Sequence, residues 1–78
     1  MNYQKLLELK KTLLEIVGYT QDEANEAILK EVKEMLDNGS EPILEIGVVS
    51  LKMQLMEYVG YTQDEANEAI LKEVKRIL

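Results

Sequence analysis

A chain of 78 residues with 15 acidic and 9 basic side chains carries a net charge of −6, and it holds no cysteine and no histidine. That length bounds it to one small domain, or two hairpins sharing a core, with a stability margin on the order of a few kcal/mol. The charge argues against nucleic acid or an anionic membrane as partner, since both call for clustered Lys and Arg. The missing residue types remove disulfides, thiolate nucleophiles, the usual general base and the commonest metal ligands.

The chain starts with MNYQKLLELKK, which is amphipathic and charged, unlike a signal peptide. With no cysteine present, a cytoplasmic setting is the expectation. A first helix is predicted from about Asn2 to Val17, closed by Gly18, the residue that takes positive φ at a helix C-terminus at little cost. The second opens at TQDE, where Thr20 and Glu23 have the spacing of a capping box. Asp22 and Glu23 also suit the positive end of the helix dipole. This helix is expected to end near Leu36, before DNGSEP supplies an Asn-Gly stop, Ser40 as the next N-cap and Pro42 in a first turn. A third helix is predicted over Glu41 to Val59, closed by Gly60. A second TQDE, from Thr62 to Glu65, starts the fourth.

VGYTQDEANEAILKEVK occurs twice, at Val17–Lys33 and at Val59–Lys75, an offset of 42 residues. The period lies within the range of HEAT-type and armadillo-type repeats, but two units are too few for a free-standing solenoid. Short GYT links force sequential helices into αα-hairpins. The expected fold is therefore all-α: four helices as two tandem hairpins, residues 1–37 and 43–78 with a 38–42 linker. They close into a four-helix bundle with approximate two-fold symmetry. Recurrence of Gln21, Asn25, Glu26 and Lys30 is not required by a fold, because exposed helix positions tolerate many residues. It points to copying, recent or deliberate, as in an engineered or de novo helical protein.

On a helical wheel the second helix gathers Ala24, Ala27, Ile28, Leu29, Val32, Met35 and Leu36 on one side. Glu31 falls inside that sector, as does its copy Glu73. The first helix has the mirror case: Lys10 lies near the middle of an apolar sector of Leu6, Leu7, Leu9, Leu13, Leu14, Ile16 and Val17, and Lys52 holds that place in the third helix. Two readings stand. In one, Lys10–Glu31 and Lys52–Glu73 form partly buried pairs that set register. In the other, each lysine snorkels out at the edge of the core.

The copies disagree on the first and third helices, where Gln4, Lys5 and Lys11 give way to Ile46, Gly47 and Met53. The third helix thereby gains a wider stripe of Ile46, Val49, Met53 and Met56. It sits deeper in the fold, or it carries an adaptable Met-lined contact for a protein partner or second chain. Gly47 weakens a helix relative to Ala, so close approach by another helix is the expected compensation.

Catalytic machinery is not in evidence. Asp22, Glu23 and Glu26, with their copies Asp64, Glu65 and Glu68, are explained by capping and by i,i+4 pairing of Glu26 with Lys30 and Glu68 with Lys72. Ser40 and Ser50 have no base beside them, and no Gly-rich phosphate loop occurs. No enzyme activity, cofactor or metal is expected.

The run LLEIVGYTQDEANEAI resembles the first two helices of a ubiquitin-associated (UBA) domain, and the LGY…EA hairpin in the C-terminal domain of RuvA-type branch-migration proteins. Val17, Gly18, Tyr19, Ala24, Ala27 and Ile28 carry the resemblance, repeated at Val59, Gly60, Tyr61, Ala66, Ala69 and Ile70. It implies binding of a ubiquitin-like or other protein surface through the Gly-Tyr loops and a third helix. The sequence thus points to a non-catalytic helical scaffold or protein-interaction domain, with a UBA-like module as the alternative.

Overall fold

The computed structural model describes residues 1–40 and 46–78. Among them the chain is all-α. Four helices, α1 (Tyr3–Thr12), α2 (Gln21–Asn38), α3 (Val48–Gln54) and α4 (Gln63–Ile77), follow in order, and single π-turns at Leu13–Val17 and Leu55–Val59 extend α1 and α3.

Local chemistry sets the helix starts. Asn2 accepts the Lys5 amide at 3.2 Å and caps α1. At α2 the Thr20 hydroxyl accepts the Glu23 amide at 3.2 Å, while the Glu23 carboxylate accepts the Thr20 amide at 2.9 Å. Thr62 and Glu65 repeat the capping box at α4 with the same distances. At the other end of α2, the Gly39 and Ser40 amides both donate to Met35 O. That reversal leaves the Leu36 carbonyl without its helical partner.

Two expectations are corrected. The first helix does not stay α-helical to Val17, because its last turn is a π-turn in which the Gly18 amide reaches back to Leu13 O. The same turn recurs at Leu55–Val59, closed by Gly60 onto Leu55 O. LLEIVG and LMEYVG share Leu, Glu, Val and Gly, so the turn follows that pattern and not the variable positions between. The third helix is also shorter than predicted. Ser40 donates back to α2, Glu41–Glu45 lie outside the described residues, and α3 starts only at Val48. Gly47 is its N-cap, with φ +86°, a left-handed conformation closed to most side chains. Among the described residues, the neighbour close to Gly47 is the backbone of Met1 and not another helix: a Cβ there would lie 3.6 Å from Met1 Cα. The Asn2 amide donates to Ile46 O at 2.6 Å, tying the first residues to the entry of α3.

α2 and α4 pack against each other, α1 lies on α2, and α3 contacts both α2 and α4. The core is Leu6, Ala24, Ile28, Val32, Met35, Leu36, Ile46, Val48, Ala66, Ile70 and Val74. Leu6 pairs with Val48, Ala24 with Ala66, Ile28 with Ile70 and Val32 with Val74 at the repeat offset, so the interior obeys an approximate two-fold axis. Full burial of an Ile side chain contributes about 2 kcal/mol, which makes Ile28 and Ile70 central to a core this small. Asp22 and Glu26 share a cleft with Lys75 and Leu78, and Asp64 and Glu68 share one with Lys33 and Asp37. The two central helices therefore run antiparallel, and the corners at Gly18 and Gly60 stand at opposite ends of the pair.

Candidate interaction surfaces

Each hairpin corner combines a π-turn, a glycine and a tyrosine. The π-turn adds a residue to the last turn of the first helix, so Gly18 sits above Leu13 and the next side chains leave the core-facing stripe. Ile16 is 79% exposed and Tyr58, its equivalent, is 83% exposed. Val17, Tyr19, Val59 and Tyr61 are exposed beside them. Gly18 and Gly60 hold φ values of +85° and +87°, and the Tyr19 and Tyr61 amides close the corners onto Leu13 O and Leu55 O, both at 3.0 Å. Carboxylates flank both corners: Glu15, Asp22 and Glu23 in the first, Glu57, Asp64 and Glu65 in the second, all exposed. Hydrogen bonds from Thr20 hold the Glu23 carboxyl below its ordinary range, and Thr62 does the same for Glu65.

The four residues singled out on the third helix separate. Ile46 is buried in the core and Val49 packs against it, whereas Met53 is 54% exposed and Met56 is also exposed. Gly47 explains the split, since it stops the helix between Ile46 and Val48 and so removes Ile46 from the helical stripe. Met53 and Met56 stand on the solvent side of α3 and its π-turn, on the approach to the Tyr58–Tyr61 corner.

Lys10, Glu31, Lys52 and Glu73 are not brought together as two lysine–glutamate pairs. Lys52 is buried, 7% exposed, and its Nζ donates to Leu36 O at 2.7 Å. Half-buried Lys10 donates in the same way to Leu78 O at 2.5 Å. Leu36 and Leu78 are equivalent positions, so each hairpin's lysine caps the final turn of the other hairpin's second helix. Cations are favoured at that end, where carbonyls lack partners and the helix dipole is negative. Glu31 is left exposed. Glu73 turns to Arg76 and to the Tyr3 hydroxyl, and the hydrogen bond from Arg76 holds its carboxyl below the ordinary range.

The reciprocal caps escape a helical wheel because the acceptors are main-chain oxygens on another element. Exposure of Ile16 and Tyr58 escapes it too, because the wheel assumes 100° per residue through the π-turn. No protein-family model, curated protein or solved structure matches the chain. Among the described residues no group of three or more acidic side chains is placed to hold a metal ion, and no helix is long and apolar enough to cross a membrane. Asn25 and Asn67 each keep a buried Oδ1 without a hydrogen-bond partner among the described residues, at the two ends of the α2–α4 seam.

Proposed function

We propose that this chain is a non-catalytic interaction domain: a duplicated helical scaffold that offers protein partners one apolar corner at each end. The observation that carries the reading is the outward placement of Ile16, Val17 and Tyr19 and of their counterparts Tyr58, Val59 and Tyr61. Large apolar side chains held outward on a short, glycine-closed turn provide contact area at low ordering cost, and tyrosine is enriched in protein interfaces. The acidic rims favour a partner that surrounds its own apolar contact with Lys or Arg. They disfavour a second copy of this chain, which would bring carboxylates against carboxylates.

The test is selection of peptides from a random display library on the immobilised protein, followed by amide-shift mapping of the selected sequences. Shifts are expected at residues 16–20 and 58–62, with basic residues enriched in the peptides. Peptides that map elsewhere, or survive conversion of Ile16 and Tyr58 to serine, overturn the reading.

A second reading, a UBA-like module, is favoured by the exposure of Tyr19 and Tyr61 beside Gly18 and Gly60, the positions that carry that resemblance. Titration of the labelled protein with ubiquitin tests it. Movement of the Gly18–Thr20 and Gly60–Thr62 amides supports it, and their silence removes it.

A further inference from the structure

The central helices meet in a second surface of opposite character. At the middle of the α2–α4 seam, half-buried Leu29 and Leu71 floor a groove of about 480 Å³, walled by Lys30 and Lys33 from one helix and Lys72 and Lys75 from the other. The repeat offset relates Leu29 to Leu71, Lys30 to Lys72 and Lys33 to Lys75, so the groove straddles the approximate two-fold axis. These lysines are four of only nine basic residues in a chain of net charge −6. Among the described residues none of the four forms an ion pair: Glu73 pairs with Arg76, and Glu26 and Glu68 leave Lys30 and Lys72 free despite the i,i+4 spacing.

An apolar groove between lysine stems, whose unpaired ammonium groups lie outside its apolar lining, calls for a ligand that is apolar in its body and anionic at its head. The seam also limits that ligand's length. Beyond the lysines it meets Asp22 and Glu26 at one end and Asp37, Asp64 and Glu68 at the other. A nucleic acid or an extended acidic helix lying along the seam would run its charge into those carboxylates. A second copy docked on the same face would set four lysines against four. A compact ligand avoids both penalties.

We propose that the Leu29–Leu71 groove binds a small amphiphilic anion, an aromatic or alkyl body bearing a carboxylate or sulfonate, held by the lysines of α2 and α4. The probe is 8-anilinonaphthalene-1-sulfonate, followed by its fluorescence, with uncharged N-phenyl-1-naphthylamine as comparison and dodecanoate as competitor. One site per chain is expected. Its affinity should fall with added salt, dodecanoate should displace the dye, and amide shifts should centre on residues 29–33 and 71–75. Lys30→Gln with Lys72→Gln should weaken the sulfonate about tenfold, by removing two of the four lysine charges. Both sites are exposed, so the variant's thermal unfolding should stay unchanged and separate lost binding from lost folding. Ile16→Ser with Tyr58→Ser should leave dye binding intact. Equal affinity for the uncharged dye, unaltered binding in the lysine variant, or shifts centred on the corners would each overturn the proposal.

Discussion

Lys52 and Lys10 occupy equivalent positions, make equivalent hydrogen bonds and differ in burial. Their acceptors also differ, since Leu36 O is an amide carbonyl within the chain and Leu78 is the last residue of the sequence. Lys52→Ala leaves the Leu36 carbonyl unsatisfied in a dry site and empties the space of the lysine stem, so a loss of about 2 kcal/mol is expected in urea unfolding. Lys10→Ala, where water reaches the freed carbonyl more easily, should cost about half as much. Lys52→Met restores the stem without the donor and should fall between wild type and Lys52→Ala. The capping boxes make a second prediction at this scale. Glu23 and Glu65 have folded pKa values below their unfolded ones, so their stabilisation is complete above the ordinary glutamate pKa of about 4.3 and is lost as pH falls through the lower folded values. Glu23→Gln with Glu65→Gln removes the titrating carboxylates that accept the Thr20 and Thr62 amides. Stability measured from pH 7 down to pH 3 should therefore decline less steeply in the double variant than in the wild type.

Among the elements, the entry to α3 and the two π-turns carry the departures from a regular bundle. Gly47 stands at φ +86° against the Met1 backbone, with room for a methyl group at ordinary contact distance. Gly47→Ala should therefore cost about 1–2 kcal/mol through backbone strain and not through a clash. Gly18→Ala, at φ +85° with nothing near its Cβ, should cost a similar amount, which thermal or urea unfolding of both variants will check. The sequence marks both glycines, but it reads Gly47 as a weak point inside a helix. Nothing in GVVSLKMQ announces that Ile46 O will accept the Asn2 amide from the far end of the first hairpin. The π-turns are no more legible, since LLEIVG has the apolar spacing of an ordinary last turn. Their consequence is large, because they move Ile16 and Val17, predicted for the core stripe, into solvent.

At the scale of the molecule, described residues span 40 × 21 × 19 Å, with antiparallel α2 and α4 at the centre and apolar, acid-rimmed corners at opposite ends. The arrangement separates stability from recognition. Ile16→Ser with Tyr58→Ser changes surface side chains only and should shift unfolding free energy by less than about 0.5 kcal/mol while abolishing peptide capture at the corners. Sedimentation should show a single species of 9.0 kDa at high protein concentration, with Met53→Ser indistinguishable from wild type, because the corners repel their own copies. A dimer dispersed by Met53→Ser would instead assign the methionine stripe to self-association.

Several features are local enough to be decided by the sequence itself. Apolar periodicity specifies α2 and α4 and buries Ala24, Ile28, Val32 and their copies, Thr and Glu three residues apart start both helices, and Gly18 and Gly60 end the segments before them. Each depends on residues within a turn or two of one another. Tertiary structure alone decided the rest. Lys52 reaches a carbonyl 16 residues away and Lys10 one 68 residues away. Lys30, Lys33, Lys72 and Lys75, solvent-facing positions on separate helices, become one basic groove only when the helices lie antiparallel about the two-fold axis. Main-chain acceptors and charges on different elements leave no periodic trace in a chain, because their meeting depends on how the helices pack.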